Sequence, residues 1–175
     1  MNLWRPFAAA TTCAVLSSLV LAQCPKNQET LFACKAQSGE RVALCGSPGV
    51  LVTDNLGTTR VAKGSTLQLR ATFDSQTIAL PAKPRNSHKA FLADRGRAKA
   101  ASSWWANLSV VEDRFAIALE IGISDTQEQQ LGFRIEDKHR GFSGAYRCTD
   151  LALEPTATLP GVPSTYYRIV SALAE

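Results

Sequence analysis

The residue types able to do chemistry are few in this chain and stand apart from one another. His88 falls in a basic segment and His139 in a polar turn. Neither has a neighbour at the spacing used by a metal site or by a nucleophile and its base. Gly141-Phe142-Ser143-Gly144 contains a Gly-x-Ser. A nucleophile elbow needs a second glycine two residues after the serine and a strand-to-helix turn, whereas Ala145 and a further strand pattern follow here. The carboxylate pairs Glu112-Asp113 and Glu136-Asp137 fall at the ends of strand patterns, where solvated turn residues are the rule. A hydrolase built on these carboxylates or on Ser143 is therefore the alternative reading, and a non-catalytic protein the main one. No catalytic residue, metal site or cofactor is expected.

A single constellation suggests binding. Lys83, Arg85, Lys89, Arg95, Arg97 and Lys99 lie in one segment with Asp94 as its only acid, followed at once by Trp104 and Trp105. The segment carries +5, while the rest of the chain beyond residue 22 carries −2. Cations neutralise an anionic partner while an exposed indole packs against it. The binding set is thus the six cations with Trp105, and Trp104 belongs to an apolar strand face. The partner expected is an acidic protein surface or an anionic envelope polymer; nucleic acid is not expected. Asn107-Leu108-Ser109 is a glycosylation acceptor only in a eukaryotic source, and it sits within a strand pattern.

These residues are set in a chain that reads as exported. Met1 to Pro6 carry one positive charge, Phe7 to Leu21 are apolar, and small Ala22 precedes Gln23, which is the layout of a secretory signal peptide over residues 1–22. The apolar run is shorter than a bilayer crossing needs, and no later run approaches that length. Periplasmic or secreted localisation follows. Acylation of Cys24, as in bacterial lipoproteins, is disfavoured because Gln23 stands where that chemistry wants a small residue. Removing the signal leaves 153 of the 175 residues, a size suited to one domain. That domain is expected to be a β unit over 23–154, with a Pro-rich tail over 155–175 that packs as an edge strand through Tyr166 to Val170.

The hydrophobic pattern has period two over most of that domain. Leu67, Leu69, Ala71 and Phe73 make one apolar face. Trp104, Ala106, Leu108 and Val110 face Phe115, Ile117, Leu119 and Ile121 in a hairpin turned at Glu112-Asp113, and Leu131, Phe133 and Ile135 pair with Phe142, Gly144, Tyr146 and Cys148 in another. Val50 to Leu56 is a weaker strand. Between Cys24 and Pro155 there is no i, i+3, i+4, i+7 apolar stripe, so the class is all-β, mainly antiparallel, a small barrel or sandwich of seven or eight short strands. The stretch from Ile78 to Ser103 is too long for an ordinary connection, and a short helix is expected over Ala90 to Ala101.

Four cysteines remain after export: Cys24, Cys34, Cys45 and Cys148. With no Cys-x-x-Cys pair and an oxidising destination, they read as two disulfides rather than zinc ligands. Glu29 to Cys34 and Arg41 to Cys45 form a hairpin. With Ser38-Gly39 as its two turn residues, Cys34 faces Ala43 and Phe32 faces Cys45. The two cysteines then share a face at diagonal positions, about 7–8 Å apart and beyond normal disulfide reach. The expected pairing is Cys34–Cys148 with Cys24–Cys45, and the rival is Cys24–Cys34 with Cys45–Cys148.

Thr30-Leu31-Phe32-Ala33-Cys34, Arg41-Val42-Ala43-Leu44-Cys45-Gly46, Leu131-Gly132-Phe133-Arg134-Ile135 and Tyr146-Arg147-Cys148 together resemble a family of small, uncharacterised exported proteins of Gram-negative bacteria. The resemblance covers about 40 residues and implies a periplasmic home and a small β fold, with no activity to carry over. Lysozyme inhibitors are a fainter likeness: their Ser-Gly-Ala-Arg/Lys-Tyr loop is approached by Ser143-Gly144-Ala145-Tyr146, which lacks the basic residue. The functional expectation is a non-catalytic exported protein that binds a partner, of inhibitor, immunity or envelope-associated type.

Overall fold

The computed structural model describes residues 24–83, 86–97, 104–123, 129–152 and 164–174; the signal peptide expected over 1–22 lies outside them. The chain is all-β with one short helix. Its strands are β1 (Glu29–Ala36), β2 (Arg41–Gly46), β3 (Leu51–Thr53), β4 (Thr59–Val61), β5 (Leu67–Phe73), β6 (Gln76–Leu80), β7 (Phe91–Arg97), β8 (Trp104–Val111), β9 (Phe115–Ile123), β10 (Gln129–Asp137) and β11 (Phe142–Ala152), followed by helix α1 (Ser164–Leu173). Nine of them form one antiparallel sheet in the order β6-β5-β2-β1-β11-β10-β9-β8-β7, with β3 and β4 as a separate hairpin. The sheet curls into a half-barrel. Among the described residues there are thus eleven strands, more than the seven or eight expected, and the main sheet stays open between β6 and β7 rather than closing. Those two edge strands are consecutive in the chain, so the segment after β6 crosses from one edge to the other.

Alternation decides the two faces of the sheet. Phe32, Cys34, Val42, Leu44, Leu67, Leu69, Ala71, Phe73, Ala106, Leu108, Val110, Ile117, Leu119, Ile121, Leu131, Phe133 and Ile135 all point into the concave side and are buried. Phe73 stacks on Phe142 and Phe133 on Tyr146, with ring centroids 5.7 and 5.0 Å apart.

The concave side is filled by α1, which corrects the expectation of an edge strand at Tyr166 to Val170. Tyr166, Ile169 and Val170 are fully buried and Leu173 packs against the same core. Their spacing is the helical i, i+3, i+4, i+7 stripe. The Tyr166 hydroxyl lies 3.3 Å from the carbonyl of Ala106 and 3.4 Å from that of Leu119. Its pKa is raised by burial and, secondarily, by the charge of Glu120. At the helix flank the Arg168 guanidinium donates to the Thr53 hydroxyl, so the β3–β4 hairpin covers the helix from outside. Helix α1 is therefore part of the core.

The helix expected over Ala90 to Ala101 is also corrected. A short 3-10 turn spans Ser87–Ala90, and Phe91–Arg97 is a strand paired along β8. Its period-two pattern is disguised because Arg95 occupies an inward position.

The first hairpin differs in register from the two-residue turn. Lys35 pairs with Arg41 and Cys34 with Val42, because the loop is Gln37-Ser38-Gly39, with the Ala36 N–H donating to the Glu40 carbonyl. Gly39 takes φ 107°, the left-handed residue of a three-residue hairpin loop. One extra loop residue moves the pairing by one and sends Cys34 and Cys45 to opposite faces. Cys34 joins the main core, while Cys45 packs with Ala33, Ala43 and Cys24 on the convex side. The disulfides are Cys24–Cys45 and Cys34–Cys148, with Cα separations of 5.6 and 5.5 Å. The second ties β1 to β11, the ladder that joins the two halves of the sheet. A pair of disulfides suits an oxidising environment. Among the described residues no helix is long and apolar enough to cross a membrane.

Candidate functional site

On the convex side, β7 to β11 interleave short side chains with long ones. Outward positions include Ser109 on β8, Ala116, Ala118 and Gly122 on β9, Gly132 on β10, and Ser143 and Ala145 on β11. Long polar side chains usually occupy the wet face of an antiparallel sheet; here Glu120, Gln130, Arg134, Glu136 and Arg147 supply them, and the short residues between them leave the backbone uncovered. A depression of about 560 Å³ opens in it, lined in part by Trp105, Asn107, Glu120, Gln130 and Arg147, over a floor at Gly122 and Gly132. That volume falls within the range of about 300–1,000 Å³ common for small-molecule clefts.

Trp105 is held in place by its neighbours. It pairs with Gly96 on β7 and with Gly122 on β9. A Cβ at Gly96 would overlap the six-membered ring of the indole, so the ring lies flat on the bare backbone there. The indole N–H donates to Asp94 Oδ2 at 3.3 Å, and the residue remains 38 % exposed. Across the floor, Arg134 forms an ion pair with Glu120 at 3.1 Å. The depression therefore combines an aromatic wall, amides from Asn107 and Gln130, and charges of both signs. That set can hold a ligand by stacking and hydrogen bonding.

The basic segment is not gathered at this place. Arg95 is an inward position of β7 and donates to the Ser171 hydroxyl of α1 at 2.7 Å, on the opposite side of the sheet from Trp105. Lys83 borders a second depression of about 610 Å³ shared with Glu112, Asp113 and Arg114, and the backbone N–H of its neighbour Ala82 donates to Glu112 Oε1. Lys89 is exposed on the 3-10 turn before β7. Arg85 and Lys99, like the side chains of Arg97 and Trp104, lie outside the described residues. The structure joins neither Lys83 nor Arg95 to the indole.

The carboxylates and hydroxyls of interest serve turns and edges. Asp137 is buried and accepts from the Arg114 guanidinium at 2.9 Å and from the backbone N–H groups of His139 and Arg140. The bonded guanidinium, foremost, holds its pKa below the usual carboxylate range. Ser143 is exposed and faces Glu136 across the β10–β11 ladder, and His139 is exposed in the turn. Among the described residues no three His, Cys, Asp or Glu side chains are grouped to hold a metal.

Sequence reasoning singled out Trp105 but missed Asn107, Glu120, Gln130 and Arg147, whose signal is an outward position flanked by glycines at 122 and 132. Comparison of the chain with protein-family models, with curated proteins and with solved structures finds no match. The fold and site define a curled antiparallel half-barrel with a helix packed in its concave side and a shallow aromatic-walled depression on its convex face.

Proposed function

We propose that this is a non-catalytic exported protein, of periplasmic or secreted location, that binds an envelope glycan through the depression beside Trp105. The observation that supports this reading most is the indole itself, seated on Gly96 by an absent side chain and on Asp94 by a hydrogen bond, with polar side chains around the adjoining floor. An aromatic face is electron-rich and attracts the polarised C–H groups of a sugar ring, while amides and carboxylates bond its hydroxyls. A neutral sugar suits the lining better than a polyanion, since the carboxylates of Glu120 and Asp94 balance the cations Arg134 and Arg147 around the indole.

The test is retention of neutral cell-envelope oligosaccharides on the immobilised mature protein, compared with Trp105→Ala of unchanged melting temperature. Retention by the natural sequence and its loss in the variant are expected. Equal retention by both proteins overturns the reading.

A further inference from the structure

Two arginines stand side by side on the convex face of the other half of the sheet. Arg41 on β2 pairs with Thr72, and Arg70 on β5 pairs with Ala43. Both are outward positions, because Val42, Leu44, Leu69 and Ala71 between and beside them are buried in the core. They are diagonal neighbours on one face, a placement that brings long side chains within reach of each other. Lys35 of β1 pairs with Arg41 and adds a third cation to the row.

None of these three side chains has a hydrogen-bond or ion-pair partner among the described residues. The Nε atoms of both arginines are moreover shut off from solvent, each an unsatisfied buried donor. Asp150 of β11 stands opposite Lys35 in the β1–β11 register, on the far side of Lys35 from the two arginines. Beyond Arg41, Thr72 and Thr77 face each other across β5 and β6 with their hydroxyl oxygens 3.0 Å apart. The row therefore runs Lys35, Arg41, Thr72, Thr77, with Arg70 beside it.

Like charges set together on a sheet repel, and a buried donor without a partner costs free energy. An oxyanion held between the accessible ends of the two guanidinium groups relieves the repulsion. The planar fork matches carboxylate and phosphate oxygens, and is the usual solution where they must be held. Two arginines with a lysine nearby exceed the charge of one carboxylate and suit a phosphate, which carries about −1.5 to −2 near neutral pH.

We infer that Arg41 and Arg70, with Lys35, form a phosphate-binding site on the convex face of the β1–β2–β5 half. It shares no residue with the Trp105 depression and does not depend on the glycan reading. A free phosphate and the phosphorylated headgroup of an envelope lipid present the same chemistry to it.

The experiment is a titration of the mature protein, followed by the amide shifts of β2 and β5, with inorganic phosphate in one arm. The other arm uses vesicles of anionic phospholipid, with vesicles of neutral phosphatidylcholine as reference. Saturable binding is expected, weakened about tenfold or more by Arg41→Gln and by Arg70→Gln, as loss of a charge-assisted bond implies, and unchanged by Trp105→Ala. The tighter arm names the source: inorganic phosphate for a free ion, anionic vesicles for a headgroup. Absence of saturable binding in both arms, or binding that survives both glutamine variants with their folds intact, overturns the inference. Should either variant fail to fold, Lys35→Gln, expected to weaken binding by a smaller factor, supplies the same comparison.

Discussion

Gly96 and Trp105 face each other across β7 and β8, and the indole occupies the volume that a side chain at position 96 would need. The platform exists because one residue has no side chain and the next strand supplies the largest one. Gly96→Ala should lift the ring off the backbone. Surface overpacking of this kind costs about 1 kcal/mol, at the low end for inserted methyl groups, so the melting temperature should fall slightly. Tryptophan emission should move to longer wavelength, and oligosaccharide retention should weaken. An unchanged emission spectrum would show that the ring does not rest on Gly96.

The two disulfides differ in the length of chain they close, with sequence separations of 21 for Cys24–Cys45 and 114 for Cys34–Cys148. On the chain-entropy relation the shorter loop stabilises by about 3 kcal/mol and the longer by about 5. Replacing both cysteines of each pair by alanine, followed by denaturant unfolding, should show the larger loss for Cys34/Cys148. That bridge also lies against the core, which adds to the difference. A greater loss for Cys24/Cys45 would contradict the assignment of the β1–β11 bridge as the principal staple.

Tyr166 anchors α1 in the concave side. Tyr166→Ala should cost about 3–5 kcal/mol, the range for truncating a large buried aromatic. Tyr166→Phe should cost about 1 kcal/mol for the lost hydroxyl bond. Because burial raises the pKa of Tyr166 above that of an unfolded tyrosine, the stability linked to it is complete below about pH 10 and declines as pH climbs beyond that value toward the folded pKa. Alkaline absorbance titration should find one tyrosine resistant to ionisation until the protein unfolds, and Tyr166→Phe should remove that class.

Asp137 makes the opposite contribution at low pH. The Arg114 guanidinium lowers its pKa, so its stabilising effect is present above the unfolded aspartate value of about 3.9 and is lost as pH falls through the folded value. Asp137→Asn should lower the melting temperature at neutral pH and flatten its fall below pH 4. If the natural protein and the variant lose stability in parallel over that acid range, the Arg114 pairing is not what holds the β10–β11 turn.

The strand pattern of this chain is open to reading wherever inward positions carry apolar side chains without interruption. Leu67 to Phe73, Trp104 to Ile121 and Leu131 to Cys148 alternate cleanly, and these ranges match β5, β8, β9, β10 and β11. β7 escapes because Arg95 takes an inward place to reach Ser171, and Gly96 is small to receive Trp105. The helix was visible in the spacing of Tyr166, Ile169, Val170 and Leu173, but three prolines just before it and two aromatic residues in its first turns favour an extended reading. Turn chemistry alone does not separate a two-residue loop at Ser38-Gly39 from a three-residue loop ending at Gly39. That single residue decides which face each cysteine occupies. Of the depression, only Trp105 stands out in sequence, since Asn107, Glu120, Gln130 and Arg147 become neighbours through strand pairing. Arg41 and Arg70 escape for the same reason, lying 29 positions apart yet adjacent on the sheet.

On the proposed reading an oligosaccharide sits on the convex face at Trp105. Amide and indole shift mapping of the mature protein, with the oligosaccharide fraction it retains, tests this most directly. Perturbations should centre on the indole N–H of Trp105 and on the amides of Gly122, Gln130 and Gly132. Perturbations confined to Lys83, Lys89 and Arg95, or to the β3–β4 hairpin whose tip exposes 91 % of Leu56, would contradict it.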